Sequence, residues 1–312
     1  MLTPRPENTP TAVLIFANPY SGRKDNRRRV ETLKDALTEA NLTCRVVWNA
    51  AERTRLLAGS EQLSNCRCLV AAGGDGTVAA VINDLPPQIH PPLAVMPLGG
   101  ENLFATQLGF NIPPSRLADA IGRGRTHRID LGLADKRSFA LMVSAGLDAQ
   151  VVHQLAATRG NLAAGALRRM GRSAYLRPLV HAWRHYRYPL LELETDGRIL
   201  RGAHVFVFNL GLYGPKWRFA PDARPDDGLL DWFVLRKPGK ASAARYLAAL
   251  VRGRLTKRCD VLHGRSEKLH LRAADATEAP VQGDGDPLGH TPVQLQAVRG
   301  ALNVLDVAID TG

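Results

Sequence analysis

The stretch Cys68-Leu69-Val70-Ala71-Ala72-Gly73-Gly74-Asp75-Gly76-Thr77-Val78 limits the folds open to this chain. An apolar run ends in a glycine-rich turn, and an Ala/Val-rich helical pattern follows. The run reads as a buried strand and the turn as its C-terminal end. In an open α/β sheet, ligands bind at that edge. Gly73, Gly74 and Gly76 let the backbone approach a bound group, and amides of the turn and of the next helix's first residues point at an anion. Asp75 places a carboxylate among them, which suits a divalent metal travelling with a phosphate. Thr77 can cap the helix or touch a phosphate oxygen. A plain strand-turn-helix connection uses the same residue types, and the GxxxxGK[ST] pattern of a P-loop is absent. The rest of the chain has to decide.

Three more strands surround this one. Ala12 to Ala17 is a first strand, followed by the turn Asn18-Pro19-Tyr20-Ser21-Gly22-Arg23-Lys24 and a helix from Asp25 or Asn26 to about Ala40. Cys44 to Trp48 is a second strand and Ala51 to Leu63 a second helix. After the Cys68 strand and a helix to about Asp84, Leu93 to Pro97 is another strand. It ends in Leu98-Gly99-Gly100-Glu101-Asn102, and Asn102 to Leu108 reads as helix. Strands alternating with helices imply a parallel sheet covered on both faces. The glycine-bearing turns should then lie side by side at one edge and form a common site.

From about Arg125 short strands dominate: Arg128 to Leu133, Ser138 to Val143, Leu190 to Glu194, Ile199 to Asn209, Leu229 to Leu235, Lys268 to Leu271, Val293 to Ala297 and Ala301 to Val307. Thr195-Asp196-Gly197-Arg198 is a hairpin turn. The expectation is an α/β domain over residues 1–125 and a β-sandwich domain over 126–312, its last strand free to return to the first domain. Two basic helical stretches, about His153 to Tyr186 and Lys240 to Leu255, interrupt the strands.

The charge is +12 over 312 residues. Such a surface attracts polyanions: nucleic acid, anionic lipid or phosphorylated substrates. It is also clustered. Arg159 to Arg187 holds seven arginines, Leu235 to Arg258 holds eight Lys/Arg, and neither holds an acid. No apolar run approaches the roughly 18 residues of a membrane span, and Ala12 to Ala17 is too short for a signal-peptide core. The chain reads as cytoplasmic. Its four cysteines have neither metal nor disulfide spacing and read as structural thiols.

Read together, Asn18-Pro19 with Ser21-Gly22, the Gly73 to Thr77 turn, and Pro97-Leu98-Gly99-Gly100-Glu101-Asn102 resemble the catalytic region of diacylglycerol kinases, a group that includes bacterial lipid kinases and sphingosine kinases. The second half agrees. Ala145-Gly146-Leu147-Asp148-Ala149 resembles the family's GxDA segment. Ala220-Pro221-Asp222-Ala223 with Asp226-Asp227-Gly228-Leu229-Leu230-Asp231, and Asp284-Gly285-Asp286-Pro287, resemble its later motifs. The resemblance runs from about Val13 to Val307. It implies an ATP-binding α/β domain followed by a β-sandwich lipid-substrate domain, with ATP and Mg²⁺ as cofactors.

The roles that follow are those the resemblance implies. Gly73, Gly74, Gly76 and Thr77 cradle ATP phosphates. Asn18, Ser21 and Gly22 flank the nucleotide from the first turn, and Gly99 and Asn102 from the third. Helix capping is the alternative for Asn102. Asp75 holds catalytic Mg²⁺, directly or through water. Asp286 stands where the family has a catalytic glutamate and would be the general base, with Asp284 a nearby alternative. Asp130 matches an active-site aspartate, a turn or cap being its alternative. Arg224, Asp227 and Leu229 correspond to a second, structural Mg²⁺ site, through the Asp227 carboxylate and two backbone carbonyls. Three departures stand out: Gly100 for threonine, Leu103 for aspartate and Asp286 for glutamate.

The first reading is an ATP-dependent lipid kinase acting on a lipid alcohol, most simply diacylglycerol. An NAD kinase-like enzyme shares the GGDGT turn. A catalytically weakened nucleotide- or lipid-binding regulator is the third reading. The expected partners are a membrane lipid substrate and an anionic membrane surface, met peripherally. Leu167, Met170, Leu176, Leu179, Val180 and Trp183 form an apolar stripe for such a helix, or else a core-packed face. No stacking aromatics interleave with the basic residues, so a nucleic-acid partner is not expected. Oligomeric state stays open, a homodimer included.

Overall fold

The computed structural model describes residues 10–22, 26–59, 63–86, 90–160, 176–275 and 278–308. Two compact units appear, residues 1–129 with 301–312, and residues 130–300.

The first unit carries parallel strands. β1 (Ala12–Ala17) lies between β2 (Thr43–Val47) and β3 (Cys66–Gly73), and β4 (Leu93–Pro97) pairs with β3. The end of the long β18 (Val293–Leu305) adds a parallel partner, Val304 opposite Leu93. β3 reads CRCLVAAG and is buried along nearly its whole length, as a strand covered on both faces must be. Helices connect the strands: α1 (Asn26–Glu39), α2 (Ala50–Ala58), α3 (Asp75–Asp84), α4 (Leu103–Gln107) and α5 (Pro114–Arg123). α1 buries Val30, Leu33 and Leu37, a spacing of three and four that makes one stripe. The sequence reading missed α5. Its signals were present: Pro114 opens the helix and Gly124 closes it in the left-handed region at φ 67°.

The second unit is a sandwich. One sheet runs β14-β13-β10-β7-β16-β17, formed by Val261–Ser266, Leu230–Leu235, His204–Phe208, Met142–Ala145, Pro280–Gly283 and Asp286–His290. The other joins β18 to β15 (Lys268–Ala273), β8 (Leu191–Thr195) and β9 (Arg198–Gly202), with β5 (Thr126–Ala134) beside β18 and β6 (Arg137–Phe139) beside β5. Alternate residues from both sheets fill the space between them: Leu191 and Leu193, Val205 and Val207, Leu269 and Leu271, Val293 and Leu295. Period-two burial of this kind is what a sandwich demands.

Several strands differ from expectation. Ile199 to Asn209 reads as one run, but it divides at Ala203 into β9 of one sheet and β10 of the other. Gly202 allows the crossing, since a Cβ there would run into the Leu235 carbonyl. Ser138 to Val143 likewise divides between β6 and β7. Val293 to Ala297 and Ala301 to Val307 are parts of one strand, β18. β14, β16, β17 and the small pair β11 (Leu212–Tyr213) and β12 (Trp217–Arg218) were not read from sequence.

The basic stretches are helical where described: α6 (Leu147–Gly160), α7 (Leu176–His185) and α8 (Lys240–Val251). Of the proposed apolar stripe, Leu167 and Met170 and the side chains of Leu176 and Leu179 lie outside the described residues. Arg23, Lys24 and Asp25 do so too. Val180 is exposed, whereas Trp183 packs beside Leu147, Val151 and Ala182. Among the described residues no helix is long and apolar enough to cross a membrane.

Candidate active site

In the first unit the glycine turns meet. Asn18 donates its amide to the Ala72 carbonyl at 3.0 Å and Leu98 donates to Gly73 at 2.8 Å, so both outer turns are stitched to the end of β3. Their backbones then pass at near-contact. A Cβ on Gly99 would sit 2.5 Å from the Gly74 Cα, and one on Gly22, at φ 70°, would collide with the Leu98 carbonyl oxygen. A Cβ on Gly73 would enter the Thr77 side chain. Gly76, by contrast, is exposed, with open space where its Cβ would be. Ser21 contributes backbone: its carbonyl accepts from the buried Asn26 carboxamide.

The polar side chains of the turns engage one another and the backbone. Thr77 is buried, and its hydroxyl accepts from Asn18 Nδ2 at 3.4 Å. Asn102 adopts φ 52° and its side chain caps no helix. Instead its carboxamide clamps Gly99, accepting from the Gly99 amide at 2.9 Å and donating to the Gly99 carbonyl at 3.0 Å. The cap of α4 is Asp75, whose two oxygens accept from the Leu103 and Phe104 amides, each at 3.0 Å. Burial pushes the Asp75 carboxyl above its ordinary value, those two amides oppose the rise, and the charge of Glu101 adds to it.

The second unit holds the remaining candidates. Asp284 and Gly285 form the tip of the β16–β17 hairpin, both with positive φ. The Asp284 carboxylate accepts from the Ala140, Leu141 and Met142 amides at 2.7, 2.9 and 2.9 Å. Two residues on, Asp286 is open: its side chain is 45% exposed and sits 3.4 Å from an Arg137 guanidinium nitrogen. Beneath the tip lies a polar network. Gln282 accepts from the Gly285 amide at 3.0 Å and donates to Ser144 Oγ at 2.8 Å and Asp148 at 3.1 Å. Ser144 and the Tyr213 hydroxyl also donate to Asp148. Ser144, Tyr213 and Gln282 escaped the sequence reading. For Ser144 and Gln282 the signal was a polar residue within otherwise apolar strands, MVSA and PVQG.

Asp130 is 3% exposed. Its oxygens accept from the Gly228 amide at 2.6 Å and the Gly300 amide at 2.7 Å, and its carbonyl accepts from Asn209. In this arrangement it holds the Gly228 turn beside Gly300 of β18. Asp227 accepts from the Leu229 amide at 3.0 Å and pairs with Arg265 at 3.3 Å, while Arg224 is exposed. A guanidinium therefore faces the carboxylate expected to take the second Mg²⁺. Among the described residues there is no group of three or more His, Cys, Asp or Glu side chains placed to hold a metal.

Comparison with known proteins bears on both units. Residues 12–134 match the family model of the diacylglycerol kinase catalytic domain, and residues 141–306 match that of the YegS C-terminal NAD kinase beta sandwich-like domain. The chain is 24% identical over 278 residues to a diacylglycerol kinase of Bacillus subtilis, covering 86% of this chain and 88% of that one. It is 26% identical over 294 residues to a diacylglycerol kinase of Staphylococcus epidermidis, covering 90% and 87%. Among solved structures, a diacylglycerol kinase from Bacillus anthracis superposes with a TM-score of 0.67 at 21% identity, covering 95% and 97%. An ATP-bound NAD kinase from Archaeoglobus fulgidus shares the fold at TM-score 0.52 and 13% identity, covering 94% and 92%.

Proposed function

The chain belongs to the diacylglycerol kinase catalytic-domain family, and from that premise we propose that it transfers the γ-phosphate of ATP to the hydroxyl of a membrane lipid alcohol, most simply diacylglycerol. One observation carries the reading. Of the two carboxylates in the Asp-Gly-Asp hairpin, Asp284 is engaged by three amides and Asp286 is left to solvent. A general base has to reach the proton it removes, and Asp286 is the one able to do so.

The geometry supports the rest of the reading. Gly22, Gly73, Gly74 and Gly99 let the three turns pass at near-contact, where any Cβ would collide with a neighbouring turn or with Thr77, and this gathers their amides at one place for ATP phosphates. Gly76 opens the start of α3 to solvent. Asn18 and Thr77 tie the first turn to that helix, and Asn102 shapes the third. Mg²⁺ neutralises phosphate charge during transfer when it is bound, and Asp75 is the carboxylate that would hold it, directly or through water. Asp286 accepts the lipid hydroxyl proton. Gln282 and Asp284 hold the hairpin that carries it. The substrate is a membrane lipid, so the protein would act at a bilayer surface, peripherally.

The test uses Mg²⁺ and γ-labelled ATP with mixed micelles of diacylglycerol, monoacylglycerol, ceramide or sphingosine, and NAD as a separate acceptor. Label should enter one lipid. Asp286→Asn should lower turnover by about 10²- to 10⁴-fold, and Asp286→Glu should retain or raise it. Label entering NAD alone, or an undiminished Asp286→Asn, would sink the proposal.

A further inference from the structure

Helix α8 has two unlike faces. Tyr246 and Leu250 are buried, and Ala243 packs against the cluster of Leu147, Val151 and Ala182. Adjoining that buried face, Lys240, Ala244, Leu247 and Val251 follow a spacing of four, three and four, which aligns them along one stripe of a helix. All four are exposed, Leu247 by 47% and Val251 by 54%. Single exposed aliphatic residues are ordinary. Two on one stripe, one turn apart and bordered by cations, are a pattern of their own.

The border is Arg245 and Arg252, with Arg254 just past the helix end, all exposed. Arg236 to Arg258 contains eight Lys/Arg and no acid. Lys237 and Arg258 pair with Asp260, at 3.7 and 2.8 Å. Lys240, Arg245, Arg252 and Arg254 pair with no carboxylate among the described residues; Arg252 reaches only the Ala248 carbonyl, at 3.1 Å. Compensation of the helix dipole accounts for cations at the C-terminal end. It does not account for Lys240 in the first turn, where positive charge opposes the dipole, nor for Leu247 and Val251 in water.

We propose that this face of α8 docks onto an anionic lipid bilayer, with Leu247 and Val251 entering the acyl boundary and Lys240, Arg245, Arg252 and Arg254 lying on the headgroups. The inference rests on the lipid-kinase reading, which brings the protein to a membrane, and it names the element that makes the contact. The chemistry is that of an interfacial helix, an apolar stripe with basic flanks. A nucleic acid would use the charges and leave the two aliphatic side chains without a role. A second copy of the chain would set this cationic face against its own like.

Sedimentation of the full chain with phosphatidylcholine vesicles, with and without phosphatidylglycerol, tests this. Binding should require phosphatidylglycerol and weaken with added salt. Leu247→Ser with Val251→Ser, and separately Arg245→Gln with Arg252→Gln and Arg254→Gln, should each lower binding by about tenfold or more, with the melting temperature unchanged. Both variants should phosphorylate a water-dispersed short-chain diacylglycerol as the parent does. Either variant binding like the parent would overturn the proposal. So would a parent that ignores phosphatidylglycerol, or a parent dimer that the Leu247/Val251 variant dissociates. Sedimentation needs neither ATP nor turnover. Binding lost in both variants therefore supports the docking face even in a protein that labels no lipid, a result that would fall on the kinase reading alone.

Discussion

His204 shows how far one residue's surroundings decide its chemistry. In sequence it is an unremarked histidine before an apolar run. In the fold it is 4% exposed, with Tyr188 at 5.5 Å and Tyr246 at 6.4 Å between ring centroids. Nδ1 takes the Leu147 amide at 3.4 Å, and Nε2 is buried with no hydrogen-bond partner among the described residues. Burial pushes its pKa down to about 4. The unfolded chain, titrating near 6.5, then binds the proton more readily than the folded one. Stability should therefore be intact above about pH 6.5 and fall as pH drops toward 4, by an amount on the order of 3 kcal/mol. His204→Phe should flatten that part of the curve, as urea melts at stepped pH would record. An unchanged slope would mean another group carries it. Asp75 and Asn102 make the same point about partners: Asn102, for which capping α4 was the alternative to a nucleotide role, clamps its own turn, and Asp75 does the capping.

Elements follow local pattern until a partner distant in sequence intervenes. The strands β8 and β15 were readable because each sends every second residue, Leu191 and Leu193 or Leu269 and Leu271, into one core. The strands of the β16–β17 hairpin were not read from sequence, because Val-Gln-Gly before the tip and Pro-Leu-Gly after it lack a run of strand formers. What holds it is the Asp284 carboxylate on the Ala140 to Met142 backbone, 142 to 144 residues away. That grip falls where the chain breaks between β6 and β7, within the run from Ser138 to Val143. Asp284→Ala leaves three buried amides without their charged acceptor and should destabilise the protein by roughly 3 kcal/mol, measured by urea denaturation. Since a shift of about 1 Å at a reacting group can cost 10²-fold, Gln282→Leu should depress turnover more than it raises the Michaelis constant for ATP. Equal stability of Asp284→Ala and the parent would show that the hairpin needs no anchor.

At the scale of the molecule, two units with separate cores lie in one chain, and the chain returns to the first through residues 301–312. Nucleotide should be felt where the glycine turns meet. Hydrogen exchange with ATP and Mg²⁺ should slow at residues 18–22, 73–78 and 98–104 and leave the buried strands β10 and β13 unchanged. Protection confined to other segments would displace the nucleotide from these turns. The parallel sheet and the turns at its edge were legible because they are local facts: an apolar run, a glycine break, a helical period. The family likeness rode on those same motifs. What the one-dimensional pattern left undetermined was which carboxylates stay free. Asp75, Asp227, Asp284 and Asp286 look alike in sequence, acids beside glycines in turns, and Asp130 stands two residues before one. Tertiary structure gave four of them backbone amides, with Arg265 beside Asp227, and left Asp286 facing water beside Arg137. Those amides belong to other elements or to the turn's own folded shape. They become available only once strands register and loops close, so no spacing along the chain could have assigned them.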